Sequence, residues 1–375
     1  MITDTTPVVL DAVRTPFGKR EGRLAPYHAG DLLGRVQSGV LDRLGLDPAE
    51  VGQVIGGCVT PVGEQYGHIT RTAWLYAGLP TRTGATTIDA QCGTAAQATL
   101  LLAGQIAMGA LDLGVSCGVE LMSRVPLTAK VGTGLGTPRP EDWPFDVPDQ
   151  YTAADRIARH RGLGRTDLDA FGLRSQERAQ AAWAAGRFDG QVLPVGEVTR
   201  DQGLRETSME ALAGLRTVKE GGLHTAGTSS QVSDGASAAV LASARRAREL
   251  GLTPRARIAA QCVVGGDLEL MLDGPVEGGR LLFERLGMKP GDIDVYEVNE
   301  AFAAVPMSFA RVHGIDEERL NPNGGAIALG HPAGATGIRL IATALDELVR
   351  RDGQLAMVAI CASASTTCLV LERLL

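Results

Sequence analysis

An internal repeat constrains this chain more than any other feature. Residues 45–54 read GLDPAEVGQV and residues 287–296 read GMKPGDIDVY. Both run glycine, apolar, any residue, proline, any residue, acidic, β-branched, and both follow a helical segment (GVLDRL, LLFERL) and precede an apolar run. Gly45 and Gly287 are 242 residues apart. The same offset carries Cys92 to position 334, inside GHPAGATG at 330–337, and Cys117 to position 359, two residues short of Cys361. Self-similarity at a fixed spacing marks repeated structural units. Three landmarks in register predict two similar halves with an insertion in the first, and 375 residues are too many for one hydrophobic core.

Each half reads as alternating strands and helices. In the first, PVVLDAVRTP opens with a strand, QVIGGCVT and ATTIDAQ are short apolar runs, and LDLGVSCGVE is a further strand. Between them GTAAQATLLLAGQIAMGA, from Gly93, is a helix apolar nearly all round and therefore buried. The second half repeats the order with VYEVNEAFAAV, the helix GATGIRLIATALDELVRRDG and the strand QLAMVAICAS. This pattern predicts an α/β fold with a mixed or mostly parallel sheet covered on both faces. The expected boundaries are 1–118, an insert at 119–246, and 247–375. The insert holds the loop-like KVGTGLGTPRPEDWPFDVPDQ and two charged helices, AADRIARHRGL and DLDAFGLRSQERAQAAWAAGRF. Its arginines suit a lid over an anionic ligand, or equally a solvated helical excursion.

A net charge of −7 argues against a nucleic-acid or membrane-surface protein. No apolar run is long enough to span a bilayer, and the N-terminus lacks a basic and apolar leader, so a cytoplasmic protein is expected. The cysteines at 58, 92, 117, 262, 361 and 368 show neither C-x-x-C nor metal-ligand spacing, which predicts reduced thiols and no metal.

Four residues are candidates for chemistry. Cys361, in VAICASAST, ends an apolar run; taken alone, such a cysteine is more often a small buried hydrophobe. Cys92, in DAQCGTAAQA, sits at a strand-to-helix junction, where the helix dipole favours a thiolate and outward N–H groups can hold an oxyanion. His331 lies in the glycine-rich NPNGGAIALGHPAGATG, and glycine at that density marks tight turns or backbone approaching a ligand. The repeat places His331 at the position equivalent to Cys92. VNEAF adds Asn299 and a carboxylate at another strand end. The two cysteines, the histidine and the asparagine are expected to meet at the carboxyl ends of strands, where α/β folds place their sites.

Across essentially the whole chain these motifs resemble those of the thiolases, the acetyl-CoA acyltransferase family. VVLDAVRTPFGK, the Cys92 segment, GVELMSRVP at 118–126, HTAGTSSQVSDGASA at 224–238, NEAF, the glycine-rich segment and the C-terminal cysteine all contribute. GGCVTPVGEQYGHITRTAW and RDQGLRETSM are similar to actinobacterial thiolases of sterol side-chain breakdown. The resemblance implies a duplicated fold layered α-β-α-β-α, with a loop domain covering coenzyme A (CoA). It also implies roles: acyl transfer through Cys92, activation by His331, a water held by Asn299 in a first oxyanion hole, and proton shuttling by Cys361. Ser230 would lie along the pantetheine arm, and the N–H groups of Cys92 and Ser363 would form a second oxyanion hole. CoA would be a co-substrate with no metal or redox cofactor, acyl-CoA thioesters the partners, and the protein a homodimer or homotetramer.

The chain departs from the family pattern in two places. Cys92-Gly93-Thr94-Ala95 replaces the common Cys-Gly-Ser-Gly, a mild change. Cys361-Ala362-Ser363-Ala364-Ser365 replaces a glycine-rich ending, which predicts backbone strain or crowding at Ser363. A working thiolase is the leading reading. The others are a related acyltransferase with a different acceptor and a degenerate homologue that binds CoA or a partner without turnover.

Overall fold

The computed structural model describes residues 2–374 except 131–133, 135, 137, 138 and 364, so Ala364 and part of the loop after Lys130 lie outside the described residues. The first half runs β1 (Pro7–Arg14), β2 (Gly18–Lys19), α1 (Ala29–Leu44), β3 (Gln53–Gly57), α2 (Ile69–Tyr76), β4 (Gly84–Ile88), α3 (Thr94–Ala107) and β5 (Leu113–Leu121). Helices α4 (Gln150–His160), α5 (Arg165–Ala184) and α6 (Met209–Ala213) leave the sheet, and the chain returns as β6 (Ser233–Ser243) and α7 (Ala244–Glu249). The second half follows as β7 (Ala256–Val264), α8 (Gly274–Leu286), β8 (Val295–Val298), α9 (Ala304–His313), α10 (Ala326–Leu329), α11 (Thr336–Arg351), β9 (Leu355–Ile360) and β10 (Thr366–Arg373).

The strands form one mixed sheet in the order β4-β3-β5-β6-β1-β7-β10-β9-β8, with β2 beside β6. Parallel pairs are β3–β4, β3–β5 and β8–β9. The two half-sheets join only through β1 and β7, at Val8↔Arg257 and Val9↔Ala256. Apolar residues of α3 and α11 pack with Ile55 and Leu241 of one half-sheet and Val358 and Leu371 of the other. Helices α1 and α2 cover the outside of the first half-sheet, and α8 and α9 that of the second. Helix, sheet, helix, sheet and helix follow in layers, as the resemblance implied.

The 242-residue register holds element by element. β3 and β8 begin at 53 and 295, α3 and α11 at 94 and 336, and β5 and β9 at 113 and 355. Gly45 and Gly287 end α1 and α8 with φ of 62° and 64°, a left-handed cap that costs a side chain more than it costs glycine. The second half has no counterpart of β4; α10 takes its place, and a single parallel bridge, Tyr296↔Leu320, marks where it would pair.

This register corrects one equivalence. With α3 and α11 aligned, the counterpart of Cys92 is Gly334, and His331 lies three residues upstream in the preceding loop. Aligning β5 with β9 matches Cys117 to Ala359, two residues before Cys361, as the offset gave. The insert is also shorter than 119–246. Val119–Leu121 finish β5, and Ser233–Ser243 form β6, the strand between β5 and β1. The sequence SDGASAAVLAS lacks the β-branched density of a strand, yet all eleven residues are buried, because small side chains let neighbouring layers approach.

The arginines of the excursion also read differently in three dimensions. Arg161 pairs with Asp273, Arg165 with Asp169, Arg174 with Glu317 and Arg178 with Glu318. They fasten the helices within the excursion and to the acidic body. Among the described residues no helix is long and apolar enough to cross a membrane.

Candidate active site

Cys92 stands on a turn that closes between β4 and α3. The Asp89 carboxylate accepts from Gln91 N at 2.9 Å, and Thr94 Oγ1 accepts from Ala90 N at 2.9 Å while donating to Gln91 O at 2.7 Å. These bonds hold Gln91 at φ 52°, a left-handed conformation that a non-glycine residue adopts at a cost of about 1–2 kcal/mol. The strained residue immediately precedes the thiol and presents it, half-buried, at the start of α3.

His331 is set from the opposite side by β6 and α11. Its backbone N–H donates to Ser233 Oγ at 3.0 Å, and Ser237 Oγ donates to Ala335 O at 2.6 Å, so two serines of β6 carry the glycine-rich loop. Gly330, at φ 104°, turns the chain into this loop where a side chain would strike Ser233 Oγ. The imidazole Nδ1 lies 2.7 Å from Thr336 Oγ1, and that hydroxyl donates to Pro332 O at 2.9 Å. A hydroxyl has one proton to give, so Nδ1 carries the hydrogen and Nε2 the lone pair. Burial, with the Arg339 charge adding to it, pushes the ring down to about 3, so it is neutral at pH 7.

Asn299 follows β8, its N–H donating to Ala359 O at 2.9 Å, and its amide Nδ2 lies 3.5 Å from His331 Nε2. Its Oδ1 is buried without a protein partner. Cys361 leaves β9 one strand away, wholly buried. Burial raises its thiol well above the usual range, and the charge of the nearby Cys92 raises it further. Ser363 lies in a turn closed by Ser365 N donating to Ala362 O at 3.2 Å. The strain expected at Ser363 is not there: the non-glycine residues in the left-handed region are Glu21, His68, Gln91, Asn321 and Asp352.

A cavity of about 360 Å³ opens onto Cys92 and His331. Ser230 lines it, as do Leu127, Gln150 and Tyr151 of the excursion. Ser229, 5% exposed, also lines it and has an unpartnered Oγ. Asn299 and Cys361 do not line the cavity but lie behind it. The carboxylate of VNEAF turns away: Glu300 accepts from Ser175 Oγ, Asn321 Nδ2 and Ile327 N, and burial raises its pKa. Glu120 is a second such hub, accepting from Val59, Thr60 and Gly334 N–H groups and from Gln65 Nε2, which ties the glycine-rich loop to the first half.

The chain matches known proteins over nearly its whole length. The family model for the thiolase N-terminal domain matches residues 7–245, and that for the thiolase C-terminal domain matches residues 252–373. The chain belongs to the thiolase family. It is 41% identical to the steroid 3-ketoacyl-CoA thiolase of Mycobacterium tuberculosis, covering 99% of this chain and 95% of the relative. It is 39% identical to the β-ketoadipyl-CoA thiolase of Pseudomonas putida, over 94% of this chain and 95% of the other. The crystal structure of the Bacillus anthracis acetyl-CoA acetyltransferase superposes with a TM-score of 0.89 at 32% identity, over 98% of this chain and 99% of that one.

Three residues of this thiolase's site were not legible as candidates. Thr336 fixes the His331 tautomer; its position at a helix start, five residues after the histidine, was the available signal. Gln91 carries strain that only the φ angle reveals, and Ser229 faces the cavity from the irregular segment before β6, where no periodicity marks which side chains point inward.

Proposed function

We propose that this thiolase is an acyl-CoA C-acyltransferase that works through an acyl-Cys92 intermediate. The observation that carries the reading is the fixed, neutral His331, whose Nε2 lone pair belongs to the same cavity as the Cys92 thiol. In the degradative direction Cys92 attacks the 3-carbonyl of a 3-oxoacyl-CoA while His331 Nε2 takes the thiol proton. The C2–C3 bond breaks, and the departing carbanion of acetyl-CoA takes a proton from Cys361. The thiol of a second CoA then gives its proton to the Cys361 thiolate and attacks acyl-Cys92; acyl-CoA leaves, and the released Cys92 sulfur takes its proton back from His331. A high-pKa thiol at Cys361 suits this role, because it is a weak acid that a carbanion can deprotonate and that stays protonated between turnovers.

Asn299, with a free Oδ1 and an amide against His331, would hold the water that meets the thioester oxygen. The Cys92 and Ser363 N–H groups would form the second oxyanion hole, and Ser230 would lie along the pantetheine. CoA enters as a co-substrate, and no step calls for a metal or redox group. Among the described residues lining the cavity none is lysine or arginine, which favours an uncharged acyl group of the 3-ketoacyl type over one ending in a carboxylate. Strand β4 forms an edge of the sheet, and Tyr66 (74% exposed) and Tyr76 (71%) lie near it; a homodimer through this edge would cover the strand. The cytoplasm is the compartment in which reduced thiols such as these operate.

The test is intact mass after incubation with acyl-CoA thioesters, with kinetics of both half-reactions. Cys92→Ala should abolish the acyl adduct, His331→Gln should slow its formation by about 10²–10⁴-fold, and Cys361→Ala should leave the adduct while stopping carbon–carbon bond chemistry. An adduct that survives in Cys92→Ala removes the reading. Thiolysis that runs faster on a carboxylate-ended 3-ketoacyl-CoA than on an uncharged one of equal length removes the substrate assignment alone.

A further inference from the structure

Outside the cavity, two cysteines stand face to face. Cys262 of β7 and Cys368 of β10 are direct partners in the antiparallel ladder. Both side chains reach the same place on α8. Cys262 Sγ lies 3.6 Å from Gly278 O, and a methyl group on Gly278 would collide with the Cys368 sulfur and sit 3.8 Å from that of Cys262. The absence of a side chain at Gly278 therefore leaves one shared space for two sulfurs. Direct partners in an antiparallel pair have Cα atoms about 4.5–5.5 Å apart. That separation falls inside the range of roughly 4.4–6.8 Å that disulfides span.

We propose that Cys262 and Cys368 form a redox-active pair, which closes to a cross-strand disulfide when the protein meets a small-molecule disulfide. Cys262 is the entry point. It is 8% exposed against 0% for Cys368. The neighbouring Cys368 thiol also lowers the pKa of Cys262, whereas Cys262 and burial raise that of Cys368. The Cys262 thiolate attacks one sulfur of the external disulfide and expels the other half as a thiolate, which picks up the proton Cys262 lost. Cys368 then gives up its proton and attacks the Cys262 sulfur, expelling the second half. Two protein thiols are oxidised to one S–S bond, and one external disulfide is reduced to two thiols. The cross-link would fasten β7 to β10 beside Ala359, under the strand end that carries Cys361. The pair takes no part in acyl transfer as described above, so the proposal stands apart from that reading.

The experiment treats the intact protein with glutathione disulfide at neutral pH, alkylates the remaining thiols and maps the peptides by mass spectrometry without reduction. The expected product is a Cys262–Cys368 linked peptide, with the melting temperature raised by roughly 5 °C and restored by dithiothreitol. Cys368→Ser should lack the resolving thiol and retain a glutathione adduct on Cys262; Cys262→Ser should give no adduct at position 368. Recovery of both cysteines alkylated, a glutathione adduct persisting on Cys262 in the unaltered protein, or a link from either cysteine to Cys361 overturns the proposal.

Discussion

At the scale of single residues, the chemistry proposed for this thiolase depends on a hydroxyl that lies outside the cavity lining. Thr336 Oγ1 spends its proton on Pro332 O and so forces His331 to present a lone pair at Nε2. Thr336→Val removes the acceptor and frees the ring to carry its hydrogen on either nitrogen. Acylation of Cys92 should slow by about 10-fold or more, part of the 10²–10⁴ that a general base contributes, and Thr336→Ser should restore it. A Val variant that acylates at the normal rate would show that the tautomer does not matter. The same burial gives a pH signature. Free histidine protonates near 6.5, while His331 resists down to about 3, so below about 6.5 the unfolded chain binds a proton that the folded protein refuses. Stability is therefore lost as pH falls from about 6.5 toward 3, by about 1.4 kcal/mol per unit. The melting temperature should drop further between pH 6.5 and 4.5 in the unaltered protein than in His331→Gln; parallel curves would contradict a buried neutral ring. Cys92, His331, Asn299 and Cys361 were visible in the sequence because each sits in a distinctive local motif. Thr336 and Gln91 were not, because a tautomer and a φ angle emerge only when loops from both halves are assembled.

At the scale of elements, two helix starts have to approach closely for Cys92 and His331 to share a cavity. Helices α3 and α11 pack between the half-sheets, and a Cβ on Gly337 would lie 2.3 Å from Ala96 N and 2.7 Å from Ala96 Cβ. Backbone cannot yield there as a flexible side chain would. Gly337→Ala should cost about 1–3 kcal/mol by overpacking and also slow Cys92 acylation, since it pushes the two helix starts apart. Chemical denaturation and burst kinetics on one preparation check both effects, and an unstrained, fully active variant would show that this contact sets nothing. The repeat revealed these helices and the strands beside them, because Gly45 and Gly287, and the apolar runs after them, stand at a constant spacing. Strand β6 escaped it. Its alanines and serines are chosen for closeness of packing between layers, a demand that leaves no alternating pattern to read.

At the scale of the whole molecule, the excursion is locked to the body by buried charge. Arg14 of β1 holds Asp201 through Nη1 at 2.6 Å and Nη2 at 2.9 Å, and Asp201 also accepts from Phe17 N and Trp183 Nε1. Both side chains of the ion pair are fully shielded from solvent. Asp201→Asn keeps the shape but strands the Arg14 charge, and should cost about 3–5 kcal/mol, measurable as a lowered denaturation midpoint. A loss below 1 kcal/mol would mean that Gln191 and Thr15, which also accept from Arg14, suffice to hold the cation.

The position of β1 has a consequence for how the protein is made. It leaves the ribosome before the other described strands, yet its two sheet neighbours are β6 and β7, which begin at Ser233 and Ala256. At synthesis rates of about 5–20 residues per second, the apolar run Val8–Val13 waits on the order of tens of seconds for either partner. Throughout that interval the nascent chain offers an unpaired hydrophobic strand to whatever binds such segments. A ribosome that stalls before residue 233 releases a polypeptide whose opening strand has no place to dock.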